Sequence, residues 1–245
     1  MCIRDRSEVP VLELWPNFKA NNWQEYYAFY YDGEYGDDTF QVQLPDAVEP
    51  HPFNDGRGIY QIARLTEFPA YISCHNSLRN QLGLMLLKTP QQVGKSHAND
   101  WTVGVDFGTS FTNVYVNRDG VVTRLALESL HLMVTESDAD ARDRVMINYF
   151  IPTEPLFPLS SVLTTKKSSR KSEEQTRQVL DGRIYIPKDS STFKPDEEGI
   201  KTYLKWSTEN LNFNRLFLKN LALQITAIAA KNDVKTIQWS LSFPS

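Results

Sequence analysis

The stretch WTVGVDFGTSFTNVYVNRDGVVTRLAL, residues 101–127, decides how the chain is read. Three short segments in it alternate apolar with polar side chains, at 102–106, 112–117 and 121–127, as half-buried strands do. Between the first two lies a tight turn containing Gly108, and between the last two lies Asp119-Gly120, the commonest hairpin dipeptide class. The pattern predicts three antiparallel strands joined by two hairpins.

The first turn carries the chemistry. A phosphate group needs donors that approach closely, and a turn built from Gly and small hydroxyl residues can aim several backbone N–H groups at one point. Gly108, Thr109, Ser110 and Phe111 supply such a tip. Asp106, at the end of the apolar strand before it, projects a carboxylate suited to the hydrated magnesium that accompanies a nucleotide. The same residues also suit a plain β-turn with Asp and Gly present for geometry alone. The order of the surrounding elements favours the phosphate reading.

Val103-Gly104-Val105-Asp106-Phe107-Gly108-Thr109-Ser110-Phe111-Thr112-Asn113-Val114 resembles the first phosphate motif of the actin, Hsp70 and sugar-kinase superfamily, with the Hsp70 branch the closer match. The resemblance implies that Asp106 holds magnesium through water and that Gly108, Thr109, Ser110 and Phe111 contact the phosphates of ATP or ADP. It implies an α/β fold, the ribonuclease-H-like first lobe of an actin-like ATPase, truncated, over residues 101–245. Two features depart from the family. Phe111 stands where relatives often carry a polar residue or tyrosine, which implies a backbone contact there, and the first strand follows other material instead of opening the chain. A divergent bacterial, chaperone-like Hsp70 relative is the resulting expectation.

Working outward, residues 8–88 alternate short apolar or aromatic runs with Pro, Gly, Asn and Asp, which predicts a β-rich module. Its strands are expected at 11–15, 26–31, 39–43, 58–65, 70–74 and 81–87, with turns at Asp32-Gly33 and Asp55-Gly56. Residues 89–100 (TPQQVGKSHAND) read as a linker. Residues 1–7 match neither the following sequence nor a targeting pattern, and resemble a translated sequencing adapter; they are expected to be a non-native leader.

Downstream, three prolines within 144–165 forbid a continuous helix and point to extended segments. Residues 166–177 (KKSSRKSEEQTR) have no apolar position and read as a solvated loop; Asp181-Gly182 signals another hairpin. Phe213, Phe217, Leu221, Ile225 and Ile228 recur at helical spacing, predicting a helix over 211–231 that feeds a strand at 236–243. That helix and strand resemble those closing the family's first subdomain, and the final WSLSFPS resembles the strand before its second phosphate loop.

The chain has 245 residues, 41% apolar and 12% aromatic, enough to fill real cores. With 26 basic against 30 acidic residues the formal charge is -4, so nothing global points to nucleic acid or to an anionic membrane. No apolar run approaches the roughly 20 residues that span a bilayer. Cys2 and Cys74 form no paired spacing, which fits a cytoplasmic protein. Val93-Gly94-Lys95-Ser96 ends like a P-loop but lacks the earlier glycine, and Asp106-Phe107-Gly108 lacks the other kinase motifs. His51, His75, His97 and His131 are dispersed and read as surface or loop residues, and the aromatic cluster from Trp15 to Tyr31 reads as packing.

The functional expectation is a nucleotide-dependent conformational switch, with any hydrolytic residues beyond Ser245 and the 245 residues alone inactive. Its partners are a nucleotide and a protein bound through the β-rich module. The alternatives are a non-catalytic scaffold and a small-molecule kinase, whose substrate-binding aspartate has no candidate in the sequence.

Overall fold

The computed structural model describes residues 11–21, 23–31, 33–35, 38–45, 48–54, 59–94, 99–134, 158–165, 182–184, 200–206 and 211–242. The leader, the 166–177 loop, Asp32, Asp55-Gly56, His97, Lys95-Ser96 and the last three residues lie outside these. The described residues fall into two compact units. One takes those up to Val93 together with 130–134, and the other takes Gly94, 99–129 and those from 158 onward.

In the first unit, β1 (Val11–Trp15), β3 (Tyr26–Tyr31), β6 (Val48–Asn54), β7 (Ile59–Leu65) and β14 (Leu132–Met133) form one sheet in the order β14-β1-β3-β7-β6. A second sheet runs β4-β5-β8-β9, from β4 (Gly33–Tyr35) through β5 (Asp38–Gln43) and β8 (Tyr71–His75) to β9 (Gln81–Leu86). β2 (Phe18–Ala20) and β10 (Gln91–Val93) pair in parallel. β3 (YYAFYY) is central, and Tyr26 through Tyr30 are all buried, so both of its faces pack. One face joins Leu12, Leu14, Val42, Leu44, Leu65, Phe68 and Ile72 in the main core. Of the aromatic cluster, Trp15, Tyr26, Tyr27, Phe29 and Tyr30 are therefore interior, with Trp15 edge-on to the partly buried Trp23 at 6.2 Å between ring centroids.

In the second unit, β11 (Asn99–Phe107), β12 (Phe111–Arg118) and β13 (Val121–Arg124) form an antiparallel meander, and β19 (Val234–Ser242) pairs in parallel with the free side of β11. β15 (Leu159–Ser160) adds to β12, and β16 (Leu163–Thr165), β17 (Gly182–Arg183) and β18 (Ile200–Lys201) make a small separate sheet. The helix α1 (Leu211–Lys231) has the predicted bounds. Its buried residues Phe217, Leu221, Ile225 and Ile228 follow the helical spacing seen in the sequence. Asn220 donates to the Gly182 carbonyl at 3.0 Å and accepts from Gln224 at 3.1 Å, so both buried amides are partnered. After α1, Asp233 takes a left-handed φ of 56° and its carboxylate accepts a hydrogen bond from the Gly94 N–H.

The expected α/β, ribonuclease-H-like first lobe of an actin-like ATPase is corrected by this arrangement. Strands dominate the described residues, split among several small and mainly antiparallel sheets, and α1 is the one helix among them. The reason lies in the connections. Tight turns join neighbouring strands antiparallel, whereas each parallel step of an α/β sheet needs a crossover, usually through a helix. Among the described residues α1 can serve one such step, the one into β19. Residues 91–93 and 99–100, expected in a linker, are strand residues paired to β2 and β19.

Candidate functional site

The site is built on the alternation of β11. Trp101, Val103, Val105 and Phe107 point to one face and are buried, opposite Val116, Val114 and Thr112 of β12. Phe107 stacks on Phe217 of α1 at 5.5 Å, which fixes that face inward. By the same alternation the intervening residues face the other way, and Asp106 is exposed.

The turn after β11 is tight. The Gly108 N–H donates to the Phe111 carbonyl at 3.0 Å, so the loop proper is Thr109-Ser110. Neither of these two has a positive φ, nor does Gly108. Gly108 is required for space instead, since a Cβ there would stand 2.4 Å from the Phe111 carbonyl oxygen. The Ser110 carbonyl accepts from the Ser161 N–H at 2.9 Å, and Thr112 and Ser161 join hydroxyls at 2.8 Å in the interior. The loop is thereby held at its base from two sides.

Asp106 and the hydroxyl loop come together at the end of one hairpin. The Thr109 and Ser110 N–H groups have no partner among the described residues. Gly108 differs from expectation in that its N–H is committed to closing the turn. Phe111 contributes its carbonyl to that closure and leaves its ring 51% exposed.

Three further residues join the site. Ser242 faces Asp106 in the parallel register and donates to its Oδ1 at 3.1 Å. Asn113 faces Asp106 across the antiparallel register, with its Oδ1 buried and unpartnered among the described residues. The Trp206 indole donates to Thr109 Oγ1 at 2.6 Å. Ser242 and Asn113 follow once strand pairing is known, but nothing local in the sequence ties Trp206 to a residue 97 positions away.

Asp106 offers one exposed carboxylate, a hard ligand of the kind a hydrated magnesium ion would use, whereas the Asn113 Oδ1 is buried. Among the described residues no three His, Cys, Asp or Glu side chains converge. A cation that keeps most of its water and completes its shell from phosphate oxygens suits such a place.

Three of the four histidines are among the described residues, all in the first unit. His131 is a part-buried loop residue just before β14, its Nδ1 3.1 Å from the buried Glu13 carboxylate. His75 belongs to β8, within 3.0 Å of the Ser73 hydroxyl, and His51 belongs to β6.

Comparison of the chain with models of protein families, with curated proteins and with solved structures gave no match. No helix among the described residues is long and apolar enough to cross a membrane.

Proposed function

We propose that the Asp106–Phe111 hairpin binds the phosphate chain of ATP or ADP together with magnesium, and that the protein is a nucleotide-dependent switch of the Hsp70-like kind its motif resembles. The proposal rests on the hairpin alone and claims no shared fold. The observation that carries it is the pairing of two N–H groups unpartnered among the described residues, and two hydroxyls, in the Thr109-Ser110 loop with an exposed carboxylate beside its base. Phosphate oxygens accept hydrogen bonds only, so such a loop meets their need, and a hydrated cation at Asp106 offsets their charge.

Each residue has a task under this reading. Gly108 closes the turn so that the loop residues stand clear. Thr109 and Ser110 donate to phosphate, and Ser242 orients the Asp106 carboxylate. Magnesium, when bound, neutralises phosphate charge.

Calorimetry on the full-length protein tests the assignment. Asp106→Ala should weaken magnesium-dependent ATP binding by about tenfold or more. An unchanged affinity removes Asp106 from the site.

A second reading, a protein-binding scaffold, is favoured by one observation in the first unit. Leu82, Leu84 and Leu86 form an exposed stripe on β9, the last strand of its sheet. An apolar stripe on an edge strand suits a protein partner. Absence of ATP binding in the wild-type protein would remove the nucleotide reading and leave this one standing.

A further inference from the structure

Trp206 ends the turn that follows β18. Leu204 is fully buried and pins that turn, Tyr203 adopts a left-handed φ of 54°, and the Trp206 N–H donates to the Tyr203 carbonyl at 3.1 Å. The result leaves the Trp206 indole 61% exposed, yet its ring nitrogen is tied to the hairpin tip at Thr109. The Lys205 ammonium lies 5.9 Å from the centre of the same ring.

The hydrogen-bond inventory at this spot is one-sided. An indole nitrogen can only donate, so its bond occupies a lone pair of Thr109 Oγ1 and leaves that hydroxyl's proton to be given elsewhere. The Thr109 and Ser110 N–H groups, the Ser110 hydroxyl and the Lys205 ammonium are donors as well. The free capacity of the loop and of Lys205 is thus weighted to donors, beside a carboxylate that calls for a cation.

We propose that Lys205 contacts phosphate at the hairpin site and that Trp206 is a positioning residue that orients the Thr109 hydroxyl there, and that the ligand is the phosphate chain of a di- or triphosphate, held by its phosphates and not by its base. This rests on the reading of the hairpin given above. The indole N–H holds one lone pair of Thr109 Oγ1, so the hydroxyl proton is turned away from the indole and toward a phosphate oxygen. The ammonium and a magnesium ion at Asp106 together answer the several negative charges of a phosphate chain, which a monophosphate would not need.

The test uses the full chain, with magnesium pyrophosphate and magnesium ATP as probes, read by calorimetry and by tryptophan fluorescence. Trp206→Phe keeps an aromatic ring at an exposed position and removes the N–H with the five-membered ring that carries it. Wild type should bind both probes. Trp206→Phe should weaken both by about threefold to tenfold, as the loss of a hydrogen bond between neutral groups does, should abolish most of the fluorescence change, and should add nothing further in a Thr109→Val background. Lys205→Gln should weaken pyrophosphate binding and flatten its salt dependence.

Equal binding by wild type and Trp206→Phe, with Asp106→Ala still defective, would overturn this proposal and leave the hairpin reading standing. Tighter binding by Trp206→Phe would also overturn it, by showing that the indole competes with the ligand for Thr109. Failure of wild type to bind either probe would overturn the hairpin reading and this proposal together.

Discussion

β12 is entered through one tight turn and left through another, and the two use glycine for different reasons. At the exit, Asp119 and Gly120 take φ values of 51° and 86°, the left-handed pair that matches a two-residue loop to the twist of its strands. A Cβ at Gly120 would meet nothing within 4 Å. At the entrance, Thr109 and Ser110 have no positive φ, and Gly108 is there because a Cβ would run into the Phe111 carbonyl. The exit turn gives its two loop positions over to backbone conformation. The entrance turn moves its glycine to the base and leaves both loop positions to hydroxyl side chains. A glycine chosen for space frees its neighbours for chemistry; one chosen for φ does not.

The sharpest way to break this contrast is Gly108→Ala. Overpacking of this kind costs about 1–3 kcal/mol, and here the obstacle is backbone 2.4 Å away that cannot swing aside. Urea unfolding should show that loss, and calorimetry should show magnesium ATP binding gone. Asp106→Ala comes next: binding falls as stated above while the urea midpoint stays put, because the carboxylate is exposed. Gly120→Ala should cost about 1 kcal/mol from strain at its positive φ and leave ligand binding untouched. If it impaired binding as severely as Gly108→Ala, the division of labour between the turns would be wrong. The smallest effect is expected at Asp119→Asn, since asparagine also tolerates the left-handed region; stability should move by no more than about 0.5 kcal/mol.

Much of the local structure was legible because it rests on local rules. β1 and β3 have the expected bounds, since aromatic and apolar runs ended by Pro, Asn or Asp leave little choice. α1 also matches, because its apolar residues recur at the helical period. The fold class was not legible. It depends on which strands pair, and pairing is a long-range matter that composition and periodicity do not encode. The segment 130–134 shows this well: β14 adds to β1, more than a hundred positions earlier, through backbone bonds that any side chains could accompany. At the site, Asp106, Thr109 and Ser110 could be named from the turn itself. Ser242 and Trp206 could not, because each reaches the hairpin through a tertiary contact.

The hydrogen bond from the Gly94 N–H to Asp233 joins residues 139 positions apart, and the parallel pairing of β11 with β19 spans nearly the same distance. Its consequence concerns the order of events during synthesis. The hairpins of β11, β12 and β13 can close as soon as they leave the ribosome, but one side of β11 must wait for β19, on the order of ten seconds at ordinary translation rates. During that interval β11 is an edge with unpaired backbone groups and an open invitation to wrong partners. The risk of misassembly in this unit is therefore a matter of timing, set by the length of chain between the two strands.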